Sequence, residues 1–241
     1  LLITPDSATL QTLAAEHVAR SLADAVALRG RALVALSGGS LPPGVFRWLC
    51  SEPLRSQVPW HGLSIVWADE RLVPFDAPES NYYLTRQTLL DHVPIPADQV
   101  FPVATYYPGP QAAMLYQRQL EALLSIHGGQ LDLVLLGMGP DGHTASLFPG
   151  FAQLDAPPTQ LVAAVEHAPK PPPERVTLTA HALNLAREVL WLVAGSDKAP
   201  KVYAALHGPH DPHNTPAQLV APRAGQVTWM LDAAAAALLI G

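Results

Sequence analysis

Apolar residues follow two rhythms along this chain. Five short continuous runs, Ala32 to Leu36, Leu63 to Ala68, Leu131 to Leu136, Val189 to Ala194 and Val227 to Leu231, are rich in Val, Leu and Ile and predict buried strands. Longer segments between them place apolar residues three or four apart. The clearest puts Leu10, Leu13, Ala14, Val18, Leu22 and Val26 on one stripe, with Asp6 or Ser7 to cap its start and Gly30 to end it. The same spacing predicts helices over Pro43 to Cys50, Asn81 to Asp91, Gln111 to Ile126, Ala180 to Ala186, Lys198 to Leu206 and Asp232 to Leu239. Leu161 to Val165 reads as a strand inside the proline-rich stretch Ala156 to Pro173, which is taken as an ordered connection within one domain spanning 1–241. Continuous apolar strands separated by helices define the α/β class, with a mainly parallel sheet covered by helices on both faces. Ligands bind such sheets outside the carboxyl ends of the strands, so the chemistry is sought in the loop that leaves each strand.

Ser37-Gly38-Gly39-Ser40 leaves the first run and precedes a helix, a place where backbone amides and the helix dipole favour an anion. The spacing matches neither the dinucleotide nor the nucleoside-triphosphate glycine motif. Asp69-Glu70-Arg71 comes directly after the second run, and Glu79-Ser80-Asn81 then offers a helix cap, with Asn81 either structural or facing a ligand. The densest signal comes after the third run. There Gly137, Gly139 and Gly142 open a loop that also carries Asp141 and His143. An imidazole exchanges protons near neutral pH, and a carboxylate two residues away can orient it. Arg175 and Lys198 supply two cations. Lys198 opens a helix, where a cation is disfavoured unless an anion lies nearby.

Composition narrows the possibilities. The formal charge is −6, from 14 Lys+Arg against 20 Asp+Glu, which argues against a nucleic-acid partner but leaves room for a small anionic ligand. No apolar run reaches the length of about 18 residues that a membrane span needs. The start of the chain lacks the pattern of a secretory signal, and the single Cys50 permits no disulfide within the chain; a cytoplasmic location is expected. Cys50 itself sits in an apolar helix segment and reads as an inert thiol. His207, His210 and His213 recur in a proline-broken loop and read as surface residues, so no metal site is expected.

These motifs, in this order, resemble the glucosamine-6-phosphate isomerase/6-phosphogluconolactonase family. The resemblance rests on Ser37 to Ser40, Asp69 to Pro74, Glu79 to Asn81, Gly137 to Pro149, Arg175 to Thr179 and Gly195 to Ala199, and runs over nearly the whole chain. Ser146 to Pro149 stands where the deaminases of the family carry Asn-Glu-Pro, and Arg71 where they carry tyrosine. The lactonase branch is therefore the nearer one. It implies a Rossmann-like fold and hydrolysis of a phosphorylated sugar lactone without a cofactor, by a monomer or weak homo-oligomer. On that resemblance the catalytic residues are His143, Asp141 and Asp69. The substrate is held by Ser37, Gly38, Gly39, Ser40, Arg71, Asn81, Arg175 and Lys198. Pro43 and Gly44 stand after the first loop where some lactonases carry a basic residue, which shifts phosphate binding toward Arg71, Arg175 and Lys198. The oxyanion of the reaction is assigned to amides around Gly139 to Gly142 or to Arg71.

Overall fold

A computed structural model describes residues 1–239. The elements run β1 (Leu2–Thr4), α1 (Ser7–Arg29), β2 (Ala32–Leu36), α2 (Pro42–Leu49), α3 (Leu54–Gln57), β3 (Leu63–Trp67), β4 (Asp69–Arg71), α4 (Asn81–Thr88), α5 (Gly109–Ile126), β5 (Leu133–Leu136), β6 (Val162–Val165), β7 (Arg175–Leu178), α6 (Ala180–Leu183), β8 (Glu188–Val193), α7 (Ala199–His207) and β9 (Gln226–Asp232). Six strands pair in the order β1-β9-β8-β5-β2-β3, every pair parallel. Alternation along the strands divides the core. Ala32, Val34 and Leu36 of β2 face α1 and α2, whereas Leu33 and Ala35 face α5 and the second sheet.

The first helix forms as its sequence dictates. The Asp6 carboxylate accepts from the Thr9 amide at 2.7 Å, and Gly30 closes the far end at φ 74°, a left-handed conformation that glycine adopts at least cost. The stripe of Leu10, Ala14, Val18 and Leu22 is buried. Truncating such a leucine to alanine costs about 2–5 kcal/mol.

A second, antiparallel sheet has the order β4-β7-β6. Asp69 to Arg71 is thus a strand, not only a charged turn after β3. Ala68 is the pivot: its amide donates to Leu36 O in the large sheet, and its carbonyl accepts from Leu178 N in the small one. The break between β3 and β4 is stitched by the Tyr116 hydroxyl, which accepts from Trp67 N at 2.6 Å and donates to Trp67 O at 2.9 Å. Tyr116 is buried, and burial drives its hydroxyl well above its ordinary range, so it stays a neutral donor.

One predicted helix does not form. Asp232 ends β9, and residues 233–239 make successive turns. The Asp232 carboxylate accepts from Gly195 N and Ala235 N, which ties the chain to the turn before α7. Other differences are smaller. α2 starts one residue earlier, α6 stops at Leu183, and β1 had no counterpart among the predicted strands. No helix of the described residues is long and apolar enough to cross a membrane.

Candidate active site

The loops after β2, β3 and β5 meet the small sheet at the carboxyl edge, where Ser37, Gly38, Asp69, Arg71, His143 and Arg175 line a cavity of about 130 Å³. A neighbouring lobe of about 120 Å³ shares Gly38, Gly39, Gly137 and Met138 with it and adds Ser40 and Lys198. Two glycines are sterically required. A Cβ on Gly38 would lie 1.9 Å from Asn81 Oδ1, and one on Gly139 would lie 2.1 Å from the His143 ring. The amides of Gly38, Gly39 and Ser40 donate to no other group among the described residues. Pro42 and Pro43 fill the first turn of α2, so anion-binding capacity rests on the loop amides rather than on the helix itself.

His143 Nδ1 lies 2.5 Å from Asp141 Oδ1, and the ring packs on Phe148 at 4.7 Å between centroids. Burial alone would raise the Asp141 carboxyl. Its contacts with His143 and with Lys170, whose Nζ is 3.7 Å away, instead hold it well below the usual carboxylate range. An ionised carboxylate only accepts, so Nδ1 donates to it and Nε2 is left as the proton acceptor. Around the ring, Gly139 N donates to His143 O and Gly142 N to Gly139 O. Those two amides are spent in the turn and cannot serve an oxyanion.

Arg71 and Arg175 are direct cross-strand partners in the antiparallel register. Like charges so placed oppose each other, an arrangement that an anion between or beside them relieves. Burial, then the charge of Arg71, lowers the Arg175 guanidinium. Arg175 is fixed by carbonyls: its Nε donates to Pro172 O at 3.0 Å and its Nη2 to Lys170 O at 2.8 Å. It also lies over the Phe148 ring that supports His143. Arg71 Nη1 donates to Glu79 O, while its Nε is buried without a partner among the described residues. Behind it, Glu70 accepts from the amides of Arg71, Asn81 and Tyr82 and from Ser80 Oγ. Burial raises the Glu70 carboxyl, against the pull of those amides.

The structure brings His143, Asp69, Arg71, Arg175 and the Ser37 to Gly39 loop to one cavity. Asp141 stands beside it through its contact with His143. Asp69 Oδ2 accepts from Ser146 Oγ at 2.7 Å, and its Oδ1 meets Asn81 Nδ2 at 3.3 Å. Asn81 is buried and lines neither lobe; it braces Asp69 and presses against Gly38. Ser40 and Lys198 belong to the second lobe, where Lys198 Nζ is paired with Asp197 at 2.5 Å. Lys170 is a site neighbour that sequence reasoning missed. Its signal in the sequence is a single cation between Pro169 and Pro171, in a segment stiff enough to hold it over the site. Cys50 lies elsewhere, half-buried, with its thiol pushed up by burial. No group of three or more His, Cys, Asp or Glu among the described residues is arranged to hold a metal ion.

The carboxyl edge of a parallel α/β sheet thus gathers an oriented imidazole, paired guanidinium groups and open loop amides. The chain belongs to the family described as glucosamine-6-phosphate isomerases/6-phosphogluconolactonase, whose profile matches residues 5–229. It is 40% identical over 245 residues to the 6-phosphogluconolactonase of Mycobacterium tuberculosis, covering 98% of this chain and 97% of that one. It is also 40% identical to the human 6-phosphogluconolactonase, covering 96% and 89%. The solved 6-phosphogluconolactonase from Trypanosoma cruzi superposes with a TM-score of 0.86 at 29% identity, over 100% of this chain and 96% of that one. A monomeric glucosamine-6-phosphate deaminase at 20% identity shares the fold, with a TM-score of 0.81. These likenesses make the chain a hydrolase of the lactonase type.

Proposed function

We propose that the chain hydrolyses 6-phospho-D-glucono-1,5-lactone to 6-phospho-D-gluconate, the second step of the oxidative pentose phosphate pathway. The observation that carries this reading is the His143 ring, held at Nδ1 by Asp141, in the cavity that Arg71 and Arg175 line. Gly38 and Gly39 line both lobes, so a phosphate on their amides stands between Lys198 on one side and the arginines on the other. Binding energy from that remote group positions the lactone ring. His143 Nε2 takes a proton from water as it attacks the carbonyl carbon, and the imidazolium then gives it to the departing ring oxygen. Arg71, on the wall of the same cavity, faces the oxyanion. Asp69, tied to Ser146 and Asn81, fixes the wall between β4 and the His143 loop. Freshly generated lactone tests the reading: 6-phosphogluconate forms well above the spontaneous rate, whereas a rate equal to the enzyme-free control contradicts it.

A further inference from the structure

The opposite edge of the large sheet carries a second constellation. There α1 ends at Arg29, His127 comes directly after α5, and Asp132 and Arg187 immediately precede β5 and β8. A cavity of about 320 Å³ is lined by these four residues together with Arg31 and Gly128. Asp132, with only 2% of its side chain exposed, is fully engaged: Oδ2 accepts from Leu33 N at 2.8 Å and Oδ1 from Arg29 Nε at 2.7 Å. The other groups are not. Arg187 Nε lies 3.3 Å from Asp132 Oδ1, yet it is a buried nitrogen without a hydrogen bond among the described residues. Both ring nitrogens of His127 lack a partner there too, although its side chain is only 1% exposed. Buried polar atoms are nearly always paired, so an unpaired imidazole beside a charged cavity is an exception that a bound donor or acceptor would remove.

Helix ends account for part of this charge, because a cation beside the last turn opposes the negative end of the dipole. That need is already met. Arg29 sits in the last turn of α1, Gly30 N bonds Val26 O, and Gly129 N bonds Leu124 O. Three guanidinium groups around one carboxylate exceed it, in a chain whose formal charge is −6.

We propose that this cavity binds a small phosphate-class anion, a phosphate ester or pyrophosphate, at a site separate from the His143 cavity. Planar guanidinium forks match phosphoryl oxygens, and the volume exceeds what a lone carboxylate fills. Arg31 and Arg187 hold the oxygens, and His127 adds a donor. His127 Nδ1 stands 3.9 Å from Asp132 Oδ2. A protonated ring therefore points one N–H toward Asp132 and leaves the other for the anion. Burial, then the charge of Arg31, keeps the free imidazole below its ordinary value, against the pull of Asp132. An anion shields Arg31 and favours the charged ring. Arg29 and Arg187, the remaining charged groups on the wall, act in the same sense as Arg31. Binding is thus coupled to proton uptake and tightens as pH falls.

The test monitors the ¹³C resonance of His127 during titration with inorganic pyrophosphate, the signal being identified by its loss in His127→Gln. Occupancy of the His143 cavity does not enter this readout. A saturable shift is expected with Kd at or below about 1 mM. Arg187→Met and Arg31→Glu each weaken it about tenfold or more, and affinity rises between pH 7.5 and 6 on the order expected for imidazole titration. Arg31 is exposed, so Arg31→Glu tests the site even if Arg187→Met fails to fold. A shift that does not saturate by about 10 mM, or equal affinity in the folded variants, overturns the proposal.

Discussion

At the scale of single residues, the proposed mechanism divides labour between groups whose surroundings differ. Asp141 is kept ionised so that His143 presents one nitrogen only. Asp141→Asn removes that control, because an amide can donate as well as accept. The expected result is a fall in kcat of about 10- to 100-fold, within the whole general-base contribution of ~10²–10⁴, with KM nearly unchanged. Steady-state kinetics on the fresh lactone measures both. Lys198 lines the other lobe, where the proposed reading puts the part of the substrate that does not react. Lys198→Ala should raise KM by about tenfold or more through loss of a charge-assisted bond, and leave kcat within a few-fold. An unchanged KM removes Lys198 from the phosphate site.

At the scale of elements, the fold depends on a few joints that apolar patterning only partly reveals. Continuous runs such as Ala32 to Leu36 are buried on both faces, and their strands were legible for that reason. The place of the loop from Gly137 to His143 on the cavity wall was equally legible, because glycines gathered after a buried strand suit a backbone that opens at the sheet edge. The strand Asp69 to Arg71 was not, since three charged residues carry no apolar rhythm and their pairing with β7 is made across more than a hundred residues. The alanine run after Asp232 misled for the opposite reason. Despite its high helix propensity the run makes only successive turns, in which Ala236 N bonds Asp232 O but Ala237 N and Leu239 N reach back three residues, to Ala234 O and Ala236 O. From sequence Asn81 could be either structural or ligand-facing; the structure places it buried behind Gly38, with its amide on Asp69. Glu70 is the joint between β4 and α4, accepting four hydrogen bonds. Glu70→Gln replaces an acceptor by a donor facing those amides and should cost about 1–3 kcal/mol. Thermal unfolding then shifts down by roughly 2–10 °C. A Tm equal to that of the parent chain would show that the joint contributes nothing to stability.

At the scale of the whole molecule, the carboxylates set the response to acid. Asp141 and Glu188 are both held below their ordinary values of 3.8 and 4.5. Burial opposes this in each case, and contacts with His143 and His17 respectively outweigh it. A depressed folded value means stability that is present above the unfolded value and lost as pH falls through the folded one. Glu70 acts in the opposite sense. Its raised value favours the folded state when protonated, and that contribution is lost as pH rises through the folded value. The Tm should therefore fall below about pH 4.5 as Asp141 and Glu188 take up protons, and the double variant Asp141→Asn, Glu188→Gln should flatten that fall. Calorimetry from neutral pH to about pH 2 checks it; an equally steep loss in the double variant would place the acid-labile groups elsewhere. The two edges of the sheet also differ in kind. One gathers an imidazole, two guanidinium groups and loop amides, and the other gathers guanidinium groups around Asp132.

The proposed mechanism centres on an imidazole that moves a proton while other groups hold the substrate, and the kinetics of His143→Ala on freshly made 6-phosphogluconolactone address it directly. After subtraction of spontaneous hydrolysis, kcat should drop by about 100-fold or more with KM close to that of the parent chain. Near-parental turnover would contradict it.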